Sequence, residues 1–448
     1  MAERANPDAG RSTPQGWRFA LRALRSRNYR LFFGGQSISL IGTWMTRVAT
    51  SWLVYRLTGS AALLGMVGFA GQIPTFLLGP FAGVWVDRWN RHRVLIVTQV
   101  LSMVQSLWLA GLALSGTITF SEIFWLAIFQ GVINAFDMPA RQAFLLEMVE
   151  NRADLPNAIA LNSSMVNGAR LLGPSIAGLV IAGFGEGYCF LIDGISYVAV
   201  IVSLVLMHIT LLEVVRERVG VVAEFREGWR YVSRFEPARA ILLLLAAVSF
   251  VGMPYTVLMP IFAQKILHGG AHTLGFLMGA IGIGALASAI ALAARKSVLG
   301  LGRIIPISSA IFGAGLVAFS LSRWLPLSLL LMLFTGFGFM QQMAASNTIL
   351  QTIVDEKMRG RVMSYYSMAF VGTAPFGSLV AGFVADRIGA PMTLMYGGIL
   401  CIVGAVWFSS KLKTIRQLIR PIYARLGILP EVASGVQTAT NLQSTVER

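Results

Sequence analysis

Five ionisable side chains, Arg47, Asp137, Arg141, Arg170 and Asp193, sit inside stretches of chain that are otherwise apolar. A carboxylate in an apolar setting holds its proton more tightly, and a neighbouring guanidinium opposes that effect. An Asp–Arg contact that is made and broken can therefore take up and release a proton. With a rise of about 1.5 Å per residue, Asp137 lies roughly 23 Å from one end of its stretch and Arg170 roughly 20 Å from the other end of the next. Both fall near the middle of a hydrocarbon layer about 30 Å thick. Arg47 lies nearer one face, and Asp193 nearer still. These residue types at this depth fit proton coupling across a membrane, with Asp137 as the acid and Arg170 and Arg47 as the cations that bias it. A permanent structural pair is the alternative reading.

The elements that must position these groups are helices long enough to cross a bilayer. Residues 61–86, 94–121, 273–294, 304–322, 324–354, 362–385 and 388–410 contain no charged side chain at all. The periodicity predicts twelve spans, at 29–57, 61–86, 94–115, 121–146, 157–183, 187–210, 239–266, 272–294, 303–322, 325–353, 362–386 and 390–410. Hydrophobic residues make up 56% of the 448 and charged residues only 12%, against roughly 25% charged in soluble domains. The net charge of +16 does not point to nucleic acid, because most basic residues fall in every second gap between spans. Arg56, Lys265, Arg323 and Arg387 are the exceptions, in the other set of gaps. That asymmetry predicts a multi-pass protein of the cell (plasma or inner) membrane, with an even number of spans and both termini cytoplasmic.

The gap at 211–238 divides the spans six and six, which gives a cytoplasmic arm (1–27), a first bundle (28–210), a linker (211–238), a second bundle (239–410) and a cytoplasmic tail (411–448). In the linker, Phe225, Trp229, Val232 and Phe235 share one helical face, so an amphipathic helix on the inner membrane surface is expected. The fifth span of each half repeats a theme, RLLGPSIAGLVIAGFG at 170–185 and FVGTAPFGSLVAGFVADRIG at 370–389. The expected fold is an all-α integral membrane protein of two pseudo-symmetric six-helix bundles, with a site at the midplane between them.

Gly83, Asp87, Arg88, Arg91 and Arg93, in the gap between spans two and three, form G-V-W-V-D-R-W-N-R-H-R. This segment resembles the signature loop of the major facilitator superfamily, in which the loop latches the outward-facing state. A second match to its opening, Gly382 to Asp386 and Arg387, ends span eleven at the other face and lacks the basic residues that should follow, so it reads as a helix end. Span five carries A-R-L-L-G-P-S-I-A-G, in which Gly173, Pro174 and Gly178 resemble the kink element of drug–proton antiporters in that superfamily; Ala169 and Ala177 replace two of its glycines. Span four with its exit, 130–149, and the DEKMRGRVMS loop, 355–364, resemble the branch that holds macrolide efflux proteins and the enterobactin exporter. The Arg that this branch often carries in span four is Ala127 here.

The resemblance implies a secondary active transporter that exports small amphipathic molecules of drug, macrolide or siderophore type by proton antiport with alternating access. A lipid or lysolipid flippase and a nutrient importer of the same fold remain alternatives. Spans one, four, seven and ten line the cavity in the superfamily, which makes Gln36, Trp44, Phe136, Tyr255, Gln341 and Asn347 the candidate substrate contacts. The expected partners are the substrate, protons and the lipid bilayer, with no nucleic acid, and the expected form is a monomer. No Gly-Lys dipeptide is present for a phosphate-binding loop. The four His are scattered and the two Cys lie far apart, so no enzyme activity, cofactor or metal is expected.

Overall fold

A computed structural model describes residues 21–149, 151–208, 221–295 and 297–428. Among them the chain is helical, with no strand. The spans are Arg27–Thr58; Ala61–Ala70 continued by Ile73–Arg88; Arg91–Leu114; Phe120–Met148; Leu155–Phe184; Glu186–Val205; Glu236–Val251 continued by Tyr255–Ile261; Ala271–Ala293; Leu301–Leu321; Leu325–Ile353; Glu356–Ser367 continued by Ala374–Ile388; and Ala390–Arg425. Among the described residues, eleven spans are long and apolar enough to cross a bilayer. The first span, 32 residues long, completes the twelve; its Gly, Ser, Thr and Arg residues lower its hydropathy, so the most polar crossing is one that carries an expected site residue, Arg47.

The two halves pack alike. Span one lies on six, three on four and six, and two on four; in the second half seven lies on twelve, nine on ten and twelve, and eight on ten. The halves meet where span five crosses eight and where span two crosses eleven. Both crossings rely on glycine at the closest approach. A Cβ on Gly178 would sit 2.9 Å from the Cα of Gly275, and one on Gly382 would sit 2.9 Å from the Cα of Gly65. Small residues let helices approach where no hydrophobic effect drives association in lipid.

Three spans expected to be unbroken are interrupted. Span two breaks at Gly71–Gln72 before Pro74, span seven turns at Gly252–Pro254, and span eleven passes through a π-turn at Met368–Gly372. A prolyl nitrogen cannot donate to the helix ladder, and broken backbone at membrane depth is found where protein or a cavity surrounds it. The linker helix, Val221–Arg234, places Val232 inside the protein and rests Phe225 and Trp229 on Tyr365 at 5.0 and 6.1 Å between ring centroids. Part of its apolar face thus docks on span eleven. The last span runs on as helix to Arg425, beyond the boundary at 410 expected from hydropathy, and buries Ile415 and Ile419. Residues 1–20 of the arm, 209–210 at the end of the first bundle, 211–220 of the linker and 429–448 of the tail lie outside the described residues.

Candidate functional site

The arm-side end of span one, the linker helix and the end of span twelve mark one face of the molecule, the terminal face. Toward the other face, the crossings close the space between the halves. Toward the terminal face, Ile159, Ala160, Ser163 and Ser164 of span five are exposed. Between these two zones, near the middle of spans one and five, lie two arginines and a tryptophan.

Trp44 and Arg47 are three residues apart on span one and so share a helix face. The Arg47 guanidinium carbon lies 4.8 Å from the Trp44 ring centroid. Arg170, from the middle of span five, reaches the same ring at 5.3 Å. Gly173 permits this meeting: a Cβ there would come 2.5 Å from that of Trp44. Pro174, four residues after Arg170, cannot donate to the Arg170 carbonyl. Arg47 is exposed in the structure. Tyr255, set just after the break in span seven, approaches Arg170 from the other half and packs edge-on against Phe312 at 6.0 Å.

Asp137 belongs to a separate cluster. Arg141, one turn along the same helix, donates to its Oδ2 through Nη2 at 2.5 Å and Nε at 3.1 Å. Thr98 and Gln99 of span three donate to its Oδ1 at 3.0 and 2.7 Å. Asp137 therefore meets Arg141, and it meets neither Arg170 nor Arg47. Asp193 is held by the hydroxyls of Thr46 and Ser106 at 2.8 and 3.0 Å, with its Oδ1 buried and unpartnered. Sequence reasoning placed these acids but could not distribute them, because their partners come from spans one and three.

The loop after span two divides in role. Arg91 pairs with Glu147 of span four at 2.6 Å, a partner missed from the sequence. Asn90 caps the third span by accepting from the Arg93 backbone N–H at 3.1 Å. Gly83 faces open space, and Arg88 is exposed; the side chain of Asp87 lies outside what the structure describes. Trp85 and Trp89 stack with Phe136 at 6.0 and 6.2 Å, so Phe136 serves this corner rather than the central cavity.

The segment read as a helix end is a contact between the halves. Asp386 accepts from the Ser60 hydroxyl at 2.8 Å and from the Ala61 backbone N–H at 2.7 Å. It thereby caps the start of span two with a carboxylate from span eleven. The signal was in the sequence, as a second Gly-x-x-x-Asp-Arg, but only the opposed helix gives it a role.

The remaining candidates scatter. Gln36 is buried with its Oε1 unpartnered. Gln341 accepts from Ser288 at 2.7 Å, and Asn347 accepts from Gln351 one turn on. Of the six proposed contacts, Trp44 and Tyr255 converge on the arginines.

Solved structures share this architecture. A transporter of the POT family in complex with 5-aminolevulinic acid superposes with a TM-score of 0.68 at 12% identity, over 87% of this chain and 97% of that one. A point mutant of the nucleoside transporter NupG gives 0.66 at 13%, over 86% and 99%. Among relatives by sequence, the staphyloferrin A transporter of Staphylococcus aureus is 26% identical over 85% of this chain and 96% of its own. The multidrug efflux pump Tap of Mycolicibacterium fortuitum is 26% identical over 79% and 88%. Macrolide efflux protein A of Streptococcus pyogenes is 23% identical over 85% and 95%. The model of the transmembrane secretion effectors matches residues 19–421. With twelve spans in two matched bundles and that match over nearly its whole length, the chain belongs to the transmembrane secretion effector family of major facilitator transporters, which are not enzymes.

Proposed function

We propose that this protein is a secondary active exporter of small amphipathic molecules, of the drug, macrolide or siderophore type carried by its relatives, driven by proton antiport. It works as a monomer in the cell membrane, with both termini in the cytoplasm and the terminal face therefore inward. Transport follows alternating access: the bundles rock about the central arginines and open one face at a time.

One observation carries this reading. The halves are sealed at the face opposite the termini by the glycine crossings and by Asp386, while span five is exposed toward the terminal face. An opening toward the inner face is what an exporter needs in order to take up cargo from inside, and it supports this reading.

Asp137 is the coupling acid. Its carboxylate is fully engaged by Arg141, Thr98 and Gln99, and the Tyr197 hydroxyl lies within its electrostatic reach. A rocking movement that draws Arg141 away leaves a buried carboxylate that binds a proton, and its return expels that proton. Arg47 and Arg170 bias the acid through the field at the midplane, since a guanidinium keeps its own proton.

The test is efflux from cells expressing the chain, with a panel of macrolides, cationic dyes and catecholate siderophores, with and without a protonophore. Protonophore-sensitive efflux of a panel member is expected. Asp137→Asn should abolish accumulation against a gradient while sparing downhill exchange. Full gradient-driven transport by that variant would end the coupling role, and import of a panel member would end the direction.

A further inference from the structure

We propose that Arg47 and Arg170, gathered on the ring of Trp44, bind a negatively charged group of the transported molecule, so that the cargo class is amphipathic organic anions, carboxylates foremost. This deepens the export reading above and rests on it.

The argument begins with charge. Both guanidinium carbons lie near one indole, at 4.8 and 5.3 Å, so they are no more than about 10 Å apart. Neither arginine forms an ion pair or hydrogen bond with a carboxylate among the described residues, and the Nε of Arg170 is buried with no partner. Two like charges held this close within the spans repel each other. Attraction to the Trp44 face offsets only part of that cost. Arginine stays charged at any working pH, so this excess cannot be shed as a proton.

Acids are present nearby in the chain but are committed elsewhere. Asp137 is neutralised by Arg141 and held by Thr98 and Gln99. Asp193 is held by Thr46 and Ser106. Among the described residues the first bundle thus pairs Arg141 with a carboxylate, while neither Arg47 nor Arg170 has one within ion-pair distance.

The setting also fits an anion that arrives and leaves. Arg47 is exposed and so open to a bound molecule. The phenol of Tyr255 comes from the other half to within electrostatic reach of Arg170. A carboxylate there would take charge-assisted hydrogen bonds from the first bundle and a hydroxyl from the second, linking cargo to the movement of the halves. Gly173 and the interrupted span seven bring these groups together.

The test uses the full chain in lipid nanodiscs and two anions, fluorescein, an amphipathic dye with one carboxylate, and citrate; ethidium serves as a cation of similar size to fluorescein. Fluorescein binding is read by anisotropy and citrate binding by displacement. Fluorescein should bind and weaken with added salt. Arg47→Gln and Arg170→Gln should each weaken it at least about tenfold, Arg47→Lys and Arg170→Lys should restore part of the loss, and ethidium should gain nothing from the arginines. The melting temperature of the unliganded Gln variants should hold or rise, because an uncompensated charge has been removed. Absence of binding by both anions overturns the proposal, as does anion binding indifferent to both arginines. Failure of both Gln variants to fold also overturns it, since it would make the pair structural. The export reading fails separately: arginine-dependent fluorescein binding without efflux of any compound from cells keeps the anion site and removes the exporter. Efflux of uncharged or cationic compounds without anion binding does the reverse.

Discussion

Two segments of this chain share the spacing Gly-x-x-x-Asp-Arg, and they sit at opposite ends of the helix pair formed by spans two and eleven. At the end of span eleven, Gly382 lies against the backbone of span two, and Asp386 holds the Ser60 hydroxyl and the Ala61 N–H. At the end of span two, Gly83 has nothing within 4 Å of where a Cβ would stand, and Arg88 is exposed. Equal spacing therefore gives one segment whose Asp bonds the opposite half and one whose Gly meets nothing, while the loop that follows it holds Glu147 through Arg91. The difference lies in what stands opposite. A helix start offers unsatisfied N–H groups and a partial positive charge, and Asp386 finds one at Ala61. The resemblance noted above concerned the segment after span two; the one that ends span eleven helps close the opposite face in this conformation.

The comparison is broken most sharply by filling the glycines. In Gly382→Leu, the Cβ would fall 2.6 Å from the Ala61 carbonyl oxygen and 2.9 Å from the Gly65 Cα, both backbone atoms. The helices must part, so spin labels at Thr117 and Arg323, one in each half, should move several ångströms farther apart on the face opposite the termini, and transport should collapse. Gly83→Leu meets nothing in this conformation and should leave that distance unchanged. Equal effects from the two substitutions would show that the two segments do not differ.

Asp386→Asn keeps the shape and removes the charge. A carboxylate on a helix start with two donors contributes about 1–2 kcal/mol, which corresponds to roughly a 5- to 30-fold change in the balance between closed and parted helices. The same labels should report a second, longer-distance population. A single unchanged distance would mean that the glycine packing alone closes this face.

The bundles were legible because a bilayer imposes length and apolarity on every crossing. Even span one, the most polar crossing, was marked by its length and by the alternation of basic gaps around it. The site was legible only where its parts share a helix. Trp44 with Arg47 and Asp137 with Arg141 are each one turn apart, so their contact could be read from spacing, although the sequence reading gave Asp137 the cations Arg170 and Arg47 instead of Arg141. Arg170 over Trp44 depends on how span five crosses span one, and Asp386 on Ala61 joins residues 325 apart in sequence; no local pattern encodes either. Phe136 misled for the same reason. Its depth suited a cavity, but its face of span four turns to Trp85 and Trp89.

Ser60 offers the finest division of the engaged contact, because its hydroxyl has two roles. It accepts from the Leu63 N–H at 3.3 Å as the cap of span two, and it donates to Asp386 at 2.8 Å. Ser60→Ala removes both and leaves the Ala61–Asp386 bond in place, so the expected loss is about 1 kcal/mol, near the usual worth of a cap. A thermodynamic cycle separates the roles. If the hydroxyl matters chiefly through Asp386, Ser60→Ala should cost little in an Asp386→Asn background. If it matters chiefly as a cap, the two substitutions should add. Melting temperatures of the four proteins in one detergent decide between these outcomes. Strict additivity would reduce the seal between the halves to the Ala61 N–H, the carboxylate of span eleven and the glycines beneath them.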